Sequence, residues 1–289
     1  MEGKDWSLIA FTLLMQLSAG LIVIYDLFLL FPLFRSKVEI PWRFQWILLI
    51  ALAAAILGIS ASLMHLGNPL NMFKSASNLA HSWLSREIAS VLLYTLLLGL
   101  VTLLHFIMPS AGRSLKWLVD FTAIAGLVLI FVMSRIYMIP TRPVWNSIFT
   151  PAGFYLTAII LGASLLLLFQ IQKGSFASQK ILAILTFGVP LIQLALLPFF
   201  MSWLGQQGSA GSEGLHVLLN YHLAAFYSRL ILLLLGIGCG LWAFLTIRSD
   251  LTQDRFLFIP ALLAWCFLFA SQILDRYLFY AQNLSPEGF

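Results

Sequence analysis

Uninterrupted apolar runs longer than the roughly 20 residues that a helix needs to cross a bilayer recur along this whole chain. That recurrence constrains the fold more than any motif, because lipid offers a backbone no hydrogen-bond partners and a run of this length satisfies its own as a helix. The composition agrees: 61% of residues are hydrophobic and 9% charged, where a soluble domain carries about 25% charged residues. The first run starts near Trp6, is too long for a signal-peptide core and is followed by no A-x-A-like site, so it is expected to be retained. No stretch remains for a separate soluble domain. The expected fold is an all-α integral membrane protein, one polytopic domain over 1–289 with eight transmembrane helices in two four-helix bundles.

The interruptions place helices near 6–34, 43–67, 86–108, 115–139, 151–172, 180–204, 222–247 and 256–282. Pro41 precedes the second span, Pro69 follows it, Pro109 follows the third, and Pro140 and Pro143 follow the fourth. Two connections are longer than joining requires: 68–85, rich in Asn and Ser, and 205–221, rich in Gly and Ser and read as a flexible connector. Loops after the odd-numbered spans hold Arg35, Lys37, Arg43, Arg113, Lys116, Lys173, Lys180, Arg248 and Arg255, whereas the opposite side holds Lys4, Lys74, Arg86 and Arg142. The basic side is expected to be cytoplasmic, which puts both termini and both long loops outside. The net charge of +5 is dispersed among short loops and signals no nucleic-acid binding. Cys239 and Cys266 lie inside apolar runs without C-x-x-C spacing and read as packing residues that hold no iron–sulfur cluster.

Ionisable groups within a span are expensive and by default mark function. Here most of them fall at one depth. His65 ends the second span and Glu87 opens the third; Arg135 lies about one turn from the outer end of the fourth, and Arg229 two turns inside the seventh. Asp275 and Arg276 occupy the outer third of the eighth, and Gln16 lies within the first. Spacing groups them further: Gly58, Ala61, Ser62 and His65 share one helix face, as do Glu87, Ser90 and Tyr94, His222 and Arg229, and Gln272, Asp275, Arg276 and Tyr280. Asp26 and Asp120, toward the opposite side, lie near helix ends where a carboxylate reaches water or a loop cation.

Several chemistries fit such a cluster. A quinol site needs a base at a ring hydroxyl, a second polar partner and an apolar slot open to lipid. His65 and Glu87 supply proton acceptors, and a neighbouring Arg135 would steady the carboxylate. A b-type haem needs two histidines at matching depth, and only His65 with His222 qualifies. A transporter binds near the midplane, often between broken helices; this midplane reads as apolar and the helices as uninterrupted. An ion-pair network fastening the helices, through Glu87–Arg135 or Asp275–Arg229, accounts for the cluster equally well.

The segment Ser62-Leu63-Met64-His65-Leu66-Gly67-Asn68-Pro69, followed by Ser85-Arg86-Glu87-Ile88-Ala89-Ser90, resembles the membrane anchor subunit of dimethyl sulfoxide reductases, within the wider group of polysulfide-reductase-type anchors. In that family an "MLHLG-x-P" turn ends the second helix and an "S-x-E-I-A-S" turn opens the third. Leu63-Met64 reverses the family order, a volume-conserving difference. Gln16, Arg135, Tyr137, the Thr150-Pro151-x-Gly153-Phe154 segment, Ser228-Arg229, and Arg276 with Phe279-Tyr280 extend the resemblance along the sequence. The resemblance implies eight helices with both termini outside, menaquinol oxidation, and no haem or iron–sulfur cluster in this chain. It also implies an iron–sulfur electron-transfer subunit and a molybdopterin catalytic subunit as partners, beside the lipid and the quinone pool. The family's functional histidine falls on His65 and its glutamate on Glu87. Depth and facing add Arg135, Tyr137, Gln16, Ser62, Arg229 and Arg276 as quinol-binding candidates. A quinone-reducing anchor and a purely structural anchor remain the alternatives.

Overall fold

The computed structural model describes residues 3–30, 42–65, 78–108, 115–170, 176–247 and 254–282; of His65 it describes the backbone alone. The helices are α1 (Gly3–Leu30), α2 (Trp42–His65), α3 (Trp83–Ile107), α4 (Lys116–Tyr137), α5 (Phe149–Gln170), α6 (Phe176–Gly205), α7 (Gly208–His216), α8 (Leu223–Thr246) and α9 (Asp254–Ala281). All except the short α7 are long and apolar enough to span a membrane, giving eight spans among the described residues, and no strand occurs among them.

Two four-helix rings result. In the first, α1 packs on α2, α2 on α3, α3 on α4, and α4 returns to α1; in the second, α5 packs on α6, α6 on α8, α8 on α9, and α9 returns to α5. The rings meet chiefly where α1 lies along α5, helped by α4 against α5 and α1 against α9. Helix α1 is therefore central: 72% of its spanning window is buried, against 33% for α2, α3, α6 and α8. Lipid tails are as apolar as leucine, so bare hydrophobicity does not hold such helices together; close packing and internal polar contacts do. The tightest packing is at the α1–α5 seam. A Cβ added to Gly20 would stand 2.0 Å from the carbonyl oxygen of Ala158, and one added to Gly162 would stand 2.4 Å from the carbonyl carbon of Gly20.

Up-and-down threading brings the starts of α1, α3, α5 and α8 and the ends of α2, α4, α6 and α9 to one face, called the site face below. Trp6 of α1 stacks there on Tyr277 of α9, with centroids 5.9 Å apart. On the opposite face Lys116 bridges Asp120 and Asp26, the latter at 3.5 Å, so these two carboxylates are paired as helix-end residues can be.

Three sequence expectations change. Helix α3 starts at Trp83 rather than 86, because the Ser82 side chain accepts from the Ser85 amide at 3.3 Å and caps it; Glu87 thus lies inside the helix, not at its mouth. The segment 205–221 is not a flexible connector: Gly208 turns with φ 67°, and α7 leads into a five-residue π-helical stretch, Val217–Tyr221. Glycine disfavours a helix by about 1 kcal/mol per residue, but Gly211 and Gly214 are buried here, and a Cβ on Gly211 would meet the Leu204 carbonyl oxygen at 2.1 Å. Packing, which periodicity cannot see, selects the helix. Finally, the midplane is not wholly apolar. Ser18, halfway along α1, donates to the Ala51 carbonyl at 2.7 Å and shares a 2.8 Å hydrogen bond with the Tyr94 hydroxyl, tying α1 to α2 and α3.

Candidate functional site

The site-face end of α3 begins with a guanidinium–indole–guanidinium arrangement. The Trp83 ring has Arg86 4.4 Å from its centroid and Arg135, from the end of α4, at 5.1 Å. Arg86 also donates to the Leu79 and Ala80 carbonyls at 2.9 and 2.7 Å, which fastens the segment entering α3. Arg135 donates to the Met138 sulfur at 3.4 Å. The expected pairing of Arg135 with Glu87 is not made: Trp83 captures the guanidinium at the end of the helix, a turn away from the carboxylate.

Glu87 is buried, with 9% of its surface exposed, and its carboxylate has no hydrogen bond or ion pair among the described residues. Ser90, one turn on, donates to the Glu87 carbonyl at 2.9 Å. From Ser90 a groove of about 490 Å³ runs along the lipid-facing seam of α3 and α4 between Leu93, Leu97, Phe121 and Val128, and its walls are entirely apolar. Across the bundle seam the Tyr137 and Tyr280 hydroxyls hydrogen-bond at 2.6 Å. Both tyrosines lie within electrostatic reach of Glu87 and of Arg276. An aromatic frame fixes them: the Trp145 indole stacks on Phe279 at 5.2 Å and donates to the Phe279 carbonyl at 2.8 Å.

Gln272 and Asp275 of the α9 stripe face the second bundle and carry its polar interior. Thr157 donates to the Gln272 side-chain oxygen at 2.8 Å, and Gln272 donates to Gln193 of α6 at 3.0 Å. Arg229 of α8 pairs with Asp275 at 2.7 Å, both in the apolar layer, so the expected Asp275–Arg229 bridge is present. Arg276, 2% exposed, donates to the Gln16 side-chain oxygen at 3.2 Å and lies 3.9 Å over the Phe154 ring, with no carboxylate partner among the described residues. A desolvated cation over a ring contributes about 2 kcal/mol or more. Together with the Gln16 contact, this holds a charge that lipid would not tolerate.

The sequence candidates therefore separate into two places. Glu87, Tyr137 and Arg135 gather at the site-face end of the first bundle, on the same face as Ser62, which is half-buried one turn before the end of α2. His65 closes α2 there; its side chain, and residues 66–77 of the turn that follows, lie outside the described residues. Arg229 and Arg276 belong instead to a cavity of about 120 Å³ in the second bundle, and Gln16 bridges the two. His222, at the start of α8, hydrogen-bonds the Tyr277 hydroxyl at 3.1 Å and meets its ring edge-on, and burial lowers its pKa below the usual histidine value. Sequence reasoning missed Gln193 and Thr157. A lone glutamine in the apolar run between Pro190 and Pro198 was the available signal.

Eight apolar spans with buried polar groups gathered toward one face define a polytopic membrane protein. The family profile described as "DMSO reductase anchor subunit (DmsC)" matches residues 1–282. The YnfH subunit of an anaerobic dimethyl sulfoxide reductase of Escherichia coli is 28% identical over 97% of this protein and 95% of its own length. The C subunit of the anaerobic dimethyl sulfoxide reductase of Haemophilus influenzae is 28% identical over 66% of this protein and 68% of its own length, and the C subunit of the E. coli enzyme is 34% identical over 55% of each. The protein belongs to the DMSO reductase anchor subunit family. It is a multi-pass membrane anchor of a reductase complex of that type, and such anchors partner with the complex's catalytic and electron-transfer subunits.

Proposed function

We propose that this anchor oxidises menaquinol at the outer end of its first bundle, with the site face toward the periplasm of the bacterial inner membrane and both termini on that side. The observation that carries the reading is Glu87: a buried carboxyl group without a protein partner among the described residues, one helical turn from Ser90, which lines an apolar groove open to lipid. An isolated carboxylate in a low-dielectric span is costly, so the position favours a group that takes up and hands on a proton. The groove suits the isoprenoid tail, and Glu87, one turn beyond the Ser90 end of the groove, suits a ring hydroxyl.

Oxidation of menaquinol removes two electrons and two protons. His65 accepts the hydrogen bond of one hydroxyl and takes the first proton; Glu87 takes the second and releases it outward. Trp83, held between Arg86 and Arg135, walls the outer edge and limits water. The electrons pass to a cluster of the iron–sulfur subunit, docked over 68–85, 140–150 and 205–221, and from there to the molybdopterin subunit. The last of these segments contains no Lys or Arg, which suits a protein contact better than lipid headgroups. Its packing against α6 gives that partner a firm platform.

Substituting His65 by Ala tests the assignment. Quinol oxidation should be lost while the three-subunit complex still assembles in the membrane; normal quinol turnover in the assembled variant would place the site elsewhere.

A further inference from the structure

We propose that Tyr280, in the second bundle, is a positioning residue for the site in the first: it holds the Tyr137 hydroxyl with its hydrogen toward Glu87. This role presupposes Glu87 as the proton acceptor described above. A hydroxyl group donates one hydrogen bond and accepts others, so a bonded pair of hydroxyls has a direction, and its neighbours decide which. At one end of this pair is Arg276, one turn before Tyr280 on the same face of α9. Its buried guanidinium has no carboxylate partner among the described residues and lies 3.9 Å over Phe154, whose ring is 5.7 Å from that of Tyr137. At the other end is Glu87, and both phenols lie within electrostatic reach of both groups. A cation attracts the oxygen of a nearby O–H and turns the hydrogen away. The 2.6 Å bond between the phenols therefore runs from Tyr280 to Tyr137, which leaves the Tyr137 hydrogen for the space before Glu87. Aligned in this way, the two bonds polarise each other in a low-dielectric interior. The opposite direction would pass the Tyr280 hydrogen to Thr12, the other hydroxyl in its reach, whose own hydrogen goes to the Leu8 carbonyl at 2.9 Å. It would turn a phenol hydrogen toward the cation and a lone pair toward the carboxyl group, against both. In the reaction the oriented Tyr137 hydrogen favours the ionised Glu87, the form that takes the quinol proton. Neither phenol gives up its own proton.

Removing single oxygen atoms tests this in the intact complex, with turnover driven by a short-tailed menaquinol analogue and, separately, by reduced viologen. Tyr280→Phe should lower quinol-driven kcat by about fivefold to tenfold, the scale of one lost hydrogen bond. Its quinol KM and viologen-driven turnover should match the parent's. Tyr137→Phe should lower kcat at least as far, and adding Tyr280→Phe to it should lower kcat no further, because Tyr280 acts through Tyr137. Tyr280→Phe should likewise add nothing in the Glu87→Gln background, whereas Thr12→Val should turn over at the parent's rate. Parent-rate quinol turnover in Tyr280→Phe overturns the proposal. So does an equal loss with and without Glu87→Gln, the mark of a merely structural role, or a Thr12→Val variant that is as slow as Tyr280→Phe. In each of these cases the Glu87 reading stands; it fails, and this role with it, when Glu87→Gln alone oxidises quinol at the parent's rate. Should Tyr280→Phe fail to assemble, Thr12→Val and Tyr137→Phe decide: parent-rate turnover in the first with slowed turnover in the second supports the proposal, and any other pattern refutes it.

Discussion

Replacing Gly20 by alanine tests whether the two bundles are held by backbone approach at the α1–α5 seam. The new methyl would stand 2.0 Å from the Ala158 carbonyl oxygen, about 1.4 Å short of the 3.4 Å at which ordinary contact begins. The obstructing atoms are backbone, so no rotamer change relieves them and the helices must separate. Overpacking of this kind costs about 1–3 kcal/mol, and the better helix propensity of alanine offsets up to ~1 kcal/mol of it. The expected net loss is about 1–2 kcal/mol. Helix α9 packs on α5, so separation also draws Arg276 from Gln16, one turn from Gly20 on α1, and their 3.2 Å hydrogen bond is lost. Unfolding of the purified protein in mixed micelles with rising dodecyl sulfate fraction, followed by tryptophan fluorescence, measures the effect. Gly238→Ala is the control: it makes the same substitution in α8, where the added Cβ meets nothing within 4 Å, and should leave stability unchanged or raised by up to ~1 kcal/mol. A Gly20→Ala protein as stable as its parent, or equal losses in both variants, would refute the seam argument.

Two further substitutions test the polar interior. Asp275→Asn leaves the Arg229 charge buried and should cost about 3–5 kcal/mol, whereas Asp275→Leu combined with Arg229→Met should recover stability to within about 1 kcal/mol of the parent; a double variant as weak as the single one contradicts a fastening pair. Tyr94→Phe removes one hydrogen bond while Ser18 keeps the Ala51 carbonyl, so the same assay should show a loss of only about 0.5–1.5 kcal/mol.

Apolar run length alone gave eight spans, because crossing a bilayer leaves the backbone one local solution, and most boundaries fall within a few residues of those expected. Where the reading failed, the deciding interaction was tertiary. Helix α7 forms against glycine propensity because Gly211 fits the Leu204 carbonyl, and Arg135 turns from Glu87 to Trp83, a partner four residues earlier in sequence than the one charge complementarity suggests. Depth counting set Arg229, Arg276 and Glu87 toward one end of their spans, but depth is one coordinate. Which bundle a residue faces depends on helix rotation, and the α9 stripe had no sequence marker that fixed it. The Asp275–Arg229 bridge was legible because opposite charges in lipid have few other ways to be tolerated. His65 and Glu87 drew on the resemblance at residues 62–90 as well as on depth.

The most direct test of the central claim is the ratio of quinol-driven to viologen-driven turnover in the complex carrying Glu87→Gln. Reduced viologen feeds electrons to the partner subunits without the anchor's quinol site. The account predicts viologen-driven turnover within about twofold of the parent and quinol-driven turnover lower by on the order of 10²-fold, the scale of a lost proton acceptor. Quinol-driven turnover equal to the parent's would contradict it.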